Sequence, residues 1–207
     1  MIDIIHHKIY FKIAKQKLEL ALSCEKSVRS WIIDRNRNEW VKQDSIDHAY
    51  YEFLENAITS IIFSGLTVES FINYYGTTRL SKNKFNTYLD KLDLLSKWIV
   101  VPKFITGQEI STDSQALELL KKLVSSRNKL IHYKSSQTDP REFYNNFKTF
   151  EPTDSNNRLP WVKDAEIGVK AIYELFNEIR KIDTSITKEE IEWSEESNHW
   201  FELFSII

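Results

Sequence analysis

The sequence predicts an all-α protein, an up-and-down bundle of four to five helices with an additional C-terminal helix. Only four glycines and four prolines occur among the 207 residues, so long helices form readily and hairpin-rich β structure does not. Apolar residues recur at intervals of three and four positions through several long segments, which is the spacing of an amphipathic helix. With 42% hydrophobic residues, a chain of this length fits one well-buried domain better than two.

The first two predicted helices are the longest. One covers about residues 3–33 and ends before a polar turn at 34–38. The next covers about residues 45–77 and carries the most regular apolar stripe of the chain. Gly65 lies within that stripe, and we expect it to let a neighbouring helix approach closely.

Three shorter helices are predicted to follow, at about residues 84–98, 113–134 and 162–182. An apolar break at 99–102, which contains a proline, is expected to end the first of them. Trp98 is predicted to anchor the packing there, while Lys97 extends its ammonium group to solvent. Asp113 is the predicted N-cap of the second of these helices.

The chain is predicted to have one main domain and a C-terminal addition. Residues 1–182 are assigned to the bundle, within which residues 135–160 form a long polar loop that could act as a lid. Residues 183–207 are predicted to form an acidic, aromatic C-terminal helix that packs on the bundle or on a partner. Thr187 and Glu190 have the spacing of a capping box that opens this helix.

Cysteine usage and charge exclude several functional classes. The single Cys24 cannot form an internal disulfide, and no Cys/His spacing typical of a zinc site occurs, so no cofactor and no metal are predicted. The net charge of −2 argues against a general nucleic-acid coat protein. The N-terminus lacks a basic region followed by an apolar run, so we expect a cytoplasmic protein with no membrane partner.

The segment RNKLIH at 127–132 carries the most unusual feature of the sequence. Apolar residues of the fourth predicted helix fill one broad arc, and Arg127 projects from near the middle of that arc. Burying an unpaired charge costs several kcal/mol, so Arg127 should contact an acid, a phosphate or solvent in a cleft. Glu69, one turn after Gly65 on the second helix, is the carboxylate predicted to pair with it.

Polar residues near Arg127 are predicted to form a site where the core meets solvent. Asn128 and His132 are four residues apart, so they fall one turn apart at the edge of the apolar arc. Basic residues on the same helix could guide a phosphate backbone toward His132, although single charges of this kind usually solvate a helix face. The predicted substrate-binding residues are Lys121, Lys129, Tyr133 and Lys134.

The motif of an arginine and an asparagine followed by three residues and a histidine, late in a helical chain, resembles the HEPN superfamily (higher eukaryote and prokaryote nucleotide-binding domains). The match is at Arg127, Asn128 and His132, and the resemblance extends over about residues 10–182. Many HEPN members are metal-independent ribonucleases of toxin-antitoxin and phage-defence systems. One departure concerns Lys134, because related toxins carry there a tyrosine that an antitoxin modifies.

The resemblance implies an endoribonuclease that attacks RNA through the 2′-hydroxyl and leaves 2′,3′-cyclic phosphate ends, with an antitoxin or defence protein as a further partner. In this chemistry His132 would transfer protons, Arg127 would bind the phosphate and Asn128 would orient the imidazole. One histidine supplies one proton-transfer group at a time. We therefore expect a homodimer whose two copies share the active site.

Two alternatives remain open at this stage. The superfamily includes non-catalytic modules that bind a nucleotide, nucleic acid or a protein partner, and the same arginine and histidine could clamp a phosphate without cleaving it. In a purely structural bundle, Arg127 and Glu69 would form a buried pair and His132 would have no role.

Overall fold

The computed structural model describes residues 6–33, 39–131 and 159–191, and within these ranges every regular element is a helix. In chain order the helices are α1 His6–Ile33, α2 Glu39–Leu80, α3 Lys82–Tyr88, α4 Leu94–Thr106, α5 Gln115–Ile131, α6 Pro160–Ile182 and α7 Lys188–Ile191. The predicted all-α helical bundle is confirmed. None of the described helices is both long and apolar enough to cross a membrane.

The two longest helices, α1 and α2, form an antiparallel pair. The Ser60 hydroxyl donates a hydrogen bond to the carbonyl oxygen of Ala14 at 2.9 Å. One turn further along α1, Lys17 Nζ donates to Asn56 Oδ1, also at 2.9 Å. Residue numbers rise along α1 as they fall along α2, so the two helices run in opposite directions, as an up-and-down bundle requires.

Helix α6 packs on α2 and runs parallel to it. The rings of Phe71 and Phe176 are in contact, with centroids 4.6 Å apart. Further along both helices, the Tyr75 hydroxyl donates a hydrogen bond to Asp183 Oδ2 at 2.8 Å. The apolar side chains of α1 to α6 together form the main core, and burying them is the largest favourable contribution to folding.

The structure corrects the third predicted helix, at 84–98. In its place the chain forms α3 and α4, separated by a turn at 89–93, and the expected break at 99–102 is helical. Asp93 caps the start of α4 by accepting a hydrogen bond from a backbone N–H of the first turn at 3.1 Å. Gly107, with a φ of 78°, ends it. The proline removes only one backbone hydrogen bond, so α4 continues past it. The caps at Asp93 and Gly107 set the ends of the helix instead.

Trp98 and Lys97 of α4 donate hydrogen bonds to α2. Trp98 is confirmed as a packing anchor, since it is fully buried and its indole N–H donates to the carbonyl oxygen of Val68 at 3.2 Å. The prediction for Lys97 is wrong. Its side chain is buried, and its Nζ donates to Asn73 Oδ1 at 3.0 Å instead of extending to solvent. A polar group on α2 satisfies the ammonium because α4 lies directly against that helix.

The ends of the remaining helices show one further correction. Ser114, and not Asp113, caps α5, because its Oγ accepts a hydrogen bond from a backbone N–H of the first turn at 3.3 Å. The capping box of Thr187 and Glu190 is confirmed by reciprocal hydrogen bonds of 2.9 and 3.2 Å. The polar turn, most of the predicted loop and most of the C-terminal helix lie outside the described residues, at 34–38, 135–158 and 192–207.

Candidate functional site

Arg127 lies on the inward side of α5, as the sequence predicts. Leu120 and Leu123, which precede it on that side of the helix, are fully buried. Arg127 follows Leu123 by one helical turn, so the amphipathic spacing of α5 points both side chains into the bundle. Only 24% of the Arg127 side chain is exposed. The guanidinium is therefore held at the surface of the core and does not extend freely into water.

Gly65 of α2 provides the space that the Arg127 side chain occupies. A β-carbon at Gly65 would lie 2.7 Å from Cδ and 3.4 Å from Nε of Arg127. Carbon atoms of neighbouring side chains pack at about 3.5 to 4 Å, so any larger residue at this position would displace the arginine. The sequence predicts that a neighbouring helix approaches closely at Gly65, and the structure shows the side chain of Arg127 from α5 in that space.

Glu69 fixes the guanidinium at its outer end. Arg127 Nη1 donates a hydrogen bond to Glu69 Oε2 at 3.0 Å, which confirms the predicted contact. Glu69 lies one turn after Gly65, so one face of α2 both makes room for the arginine and pairs with it. With 24% and 39% of the two side chains exposed, the ion pair lies at the boundary between core and solvent.

Two polar atoms on α5 and α2 are buried without a hydrogen-bond partner within the described residues. They are Arg127 Nε and Ser64 Oγ. A guanidinium has five N–H donors, and Glu69 accepts a hydrogen bond from a single Nη group. Arg127 can therefore keep its carboxylate partner and still donate hydrogen bonds to an anion such as a phosphate.

The other predicted site residues are exposed or lie outside the described ranges. Those on the exposed side of α5 are Lys121, Asn128 and Lys129. Three more, His132, Tyr133 and Lys134, follow the last described residue of α5. The structure thus brings together Arg127, Glu69 and Gly65. The convergence of Asn128 and His132 with Arg127 stays a prediction.

No protein-family model, curated protein or solved structure matches the chain. The HEPN resemblance therefore rests on the motif residues and remains a prediction. In the part of the chain that the structure describes, no group of three or more His, Cys, Asp or Glu side chains is placed to hold a metal ion.

A second polar cluster, which the sequence analysis did not predict, ties the segment containing α7 to the bundle. Nε2 of the buried His7 lies 2.8 Å from the carbonyl oxygen of Glu190, and because a carbonyl only accepts, Nε2 is the donor. Arg79 contacts Glu190 at 3.3 Å. Tyr75 and Asp183 share the hydrogen bond described above. The sequence does indicate that His7 is buried, since it precedes Phe11, Ala14 and Leu18 at helical spacing.

Burial and hydrogen bonds shift the pKa values of three groups in this second cluster, and burial is the main cause of the net shift for His7 and Tyr75. Burial lowers the pKa of His7 to about 4, against an opposing effect of the hydrogen bond to Glu190. It also raises the pKa of Tyr75, as does the neighbouring Asp183. For Asp183, burial acts to raise the pKa, but hydrogen bonds from Ser185 and Tyr75 outweigh it and the net shift is downward. At neutral pH all three groups keep one charge state, which suits a structural role.

The contact between Gly65 and Arg127 predicts that the effect of Gly65→Ala on stability depends strongly on whether Arg127 is present. Alanine is more favourable than glycine inside a helix by about 1 kcal/mol. In the Arg127→Ala background, where the space above Gly65 is free, Gly65→Ala should raise the free energy of unfolding by about that amount. With Arg127 present the new methyl group meets Cδ, so the gain should vanish or become a loss. Urea unfolding of the four proteins measures the difference.

Gly76→Ala is the matched control for this cycle. A β-carbon at Gly76 would collide with the ring of Phe85, a contact that does not involve Arg127. The effect of Gly76→Ala should therefore be the same in both backgrounds. Additive effects of Gly65→Ala and Arg127→Ala would show that the arginine does not occupy this position in solution.

Proposed function

We propose that the chain is a metal-independent endoribonuclease in which Arg127 binds the scissile phosphate and His132 transfers protons. The observation that carries this proposal is the placement of Arg127, whose side chain lies over Gly65 and is paired with Glu69 at 3.0 Å. A charged group already ordered before the substrate arrives stabilises negative charge more effectively than a mobile one.

The proposed reaction needs proton transfer and positive charge, and no redox step. A base removes the proton of the ribose 2′-hydroxyl, the 2′-oxygen forms a bond to phosphorus, and the bond from phosphorus to the 5′-oxygen breaks. An acid protonates the departing 5′-oxygen, which leaves a 2′,3′-cyclic phosphate on the other product. Imidazole suits both transfers because its ordinary pKa is near neutral. Arg127 donates to the non-bridging oxygens, and Asn128 orients His132.

Two copies of the chain complete the proposed site. One His132 cannot act as base and acid in the same step, so the second imidazole comes from a homodimer with a shared active site. The motif further favours a toxin or phage-defence effector, whose expression would be toxic unless His132 is replaced or an antitoxin is present.

The decisive experiment incubates purified protein with RNA in excess EDTA. Cleavage to products with 2′,3′-cyclic phosphate ends is expected, and His132→Ala should lower its rate by at least about a hundredfold. His48→Ala is the matched control, because the His48 side chain is 78% exposed on α2 and belongs to no predicted site. Light scattering on the same samples reports whether the active species is a dimer.

Three results would contradict the proposal. RNA that is bound but never cut, by wild type and His132→Ala alike, would point instead to a non-catalytic nucleic-acid-binding module. Equal cleavage by wild type and His132→Ala would remove the histidine from the mechanism. A monomer that cuts RNA at the full rate would exclude the shared site.

A further inference from the structure

Helix α3 and the turn that follows it carry an exposed basic and aromatic surface that the proposed site does not use. We define the α3 surface as Lys82, Lys84, Tyr88 and Lys91, all of which are exposed. The opposite side of α3 is anchored by Phe85, which is buried against Gly76 of α2. Lys84 and Tyr88 are four residues apart and so lie next to each other on the helix.

The charge around α3 is distinctly positive. Residues 81–109 contain five lysines and three carboxylates, Asp90, Asp93 and Glu109. All three carboxylates are engaged, because Asp93 caps α4 at 3.1 Å, Asp90 lies 3.7 Å from Lys97 and Glu109 pairs with Lys103 at 2.6 Å. None of the lysines of the α3 surface forms an ion pair within the described ranges. Lys84 and Lys91, four residues before and three after Tyr88, therefore carry positive charge beside it, although the whole chain is slightly acidic.

Tyr88 is 75% exposed, the highest value among the exposed large apolar and aromatic side chains of the described residues. An exposed ring that no neighbouring side chain covers can stack on a nucleobase, and flanking lysines can contact the adjoining phosphates. Bases in a duplex are stacked on each other and are not accessible to such a ring. The α3 surface therefore fits a single strand better than a duplex.

Helix α3 and Arg127 contact the same face of α2. Glu69, which pairs with Arg127, and Gly76, against which Phe85 packs, are seven residues apart on α2. Seven residues are about two helical turns, so both contacts lie on one face of α2, about 10 Å apart along its axis. A single strand held at α3 could extend toward Arg127.

We infer that the α3 surface binds single-stranded nucleic acid, with Tyr88 stacked on a base and Lys84 and Lys91 on the flanking phosphates. Binding at this surface requires no cleavage and would persist if the proposed ribonuclease reaction were absent. If that reaction is present, the α3 surface restricts its substrate to unpaired RNA.

Fluorescence anisotropy with labelled oligonucleotides tests this inference. Using the His132→Ala protein in EDTA keeps the oligonucleotides intact, so binding is measured apart from cleavage. Tyr88→Ala should raise the Kd for a single strand about tenfold, whereas Tyr88→Phe should retain wild-type affinity because the ring remains. Lys84→Ala and Lys91→Ala should each weaken binding and reduce the slope of log Kd against log salt by about one.

Tyr51→Ala is the matched control, because Tyr51 is 70% exposed on α2 but is followed by the acidic Glu52 and Glu55. Its Kd should equal that of the parent protein. An unchanged Kd in Tyr88→Ala, or equal affinity for single-stranded and duplex RNA, would overturn the inference. The same experiment is repeated with single-stranded DNA of the same sequence. Equal Kd values for DNA and RNA would indicate that only bases and phosphates are recognised. A lower Kd for RNA would indicate additional contacts to the ribose.

Discussion

Replacing Arg127 by alanine is expected to lower the rate of RNA cleavage about a thousandfold, because one preorganised donor at a developing negative charge is worth that much. Lysine at this position keeps the charge but has no planar fork. A compact ammonium does not hold two anions in fixed directions as the guanidinium does, so Arg127→Lys should still lose about a hundredfold. Single-turnover rates with excess enzyme separate this effect from weaker RNA binding.

Loss of fold does not account for the expected effect of Arg127→Ala. Its partner Glu69 is 39% exposed and can be hydrated when the arginine is absent, so the stability cost should be about 1 kcal/mol. Lys122→Ala is the matched control on the same helix. Lys122 is exposed and pairs with Glu118 at 2.6 Å, and its removal should change the cleavage rate less than about threefold. If Arg127→Ala cleaves RNA at the wild-type rate, Arg127 has no part in the reaction and its ion pair with Glu69 is only structural.

The second large effect concerns the pH dependence of stability. The pKa of His7 is about 4 in the folded protein and about 6.5 when the chain is unfolded. Between these values the unfolded chain binds a proton that the folded chain does not, so stability falls as the pH is lowered through this window. The free energy of unfolding should decrease by about 2 kcal/mol between pH 7 and pH 5, and by about 3 kcal/mol when the pH reaches 4.

Urea unfolding at a series of pH values, followed by tryptophan fluorescence, measures this dependence. His7→Gln should remove the slope between pH 7 and pH 5, whatever its effect on stability at neutral pH. His6→Gln should leave the slope in place, because His6 is exposed and its Nδ1 lies 3.5 Å from Tyr10 Oη. A slope that His7→Gln leaves unchanged would assign the dependence to other groups.

Local patterns in the sequence predicted most of the helices and some of their ends. The stripes of α1, α2 and α6 were recognisable because burial on one side imposes a period close to 3.6 residues. The capping box of Thr187 and Glu190 was predicted because its two hydrogen bonds involve neighbours in the chain. The division of α3 from α4 was not predicted, because it depends on the cap at Asp93, and α4 ends at Gly107 and not at the proline.

The candidate site was predicted in part for the same reason. An arginine in an apolar stripe is visible in the sequence, and so is a glutamate one turn after a glycine in another stripe. The packing of α5 against α2 decides whether Arg127 meets Glu69 and lies over Gly65.

Two properties depend entirely on tertiary contacts. His7 and His6 are adjacent in the chain, yet only His7 is buried, because α2 and the segment containing α7 cover it. Phe85 and Tyr88 are three residues apart, yet one anchors α3 and the other is exposed. The periodicity of the sequence indicates which side chains share a helix face. It was sufficient to predict most of the helices and the inward position of Arg127. Which element covers that face is decided by contacts between distant parts of the chain, and these set burial, pKa and exposed surface.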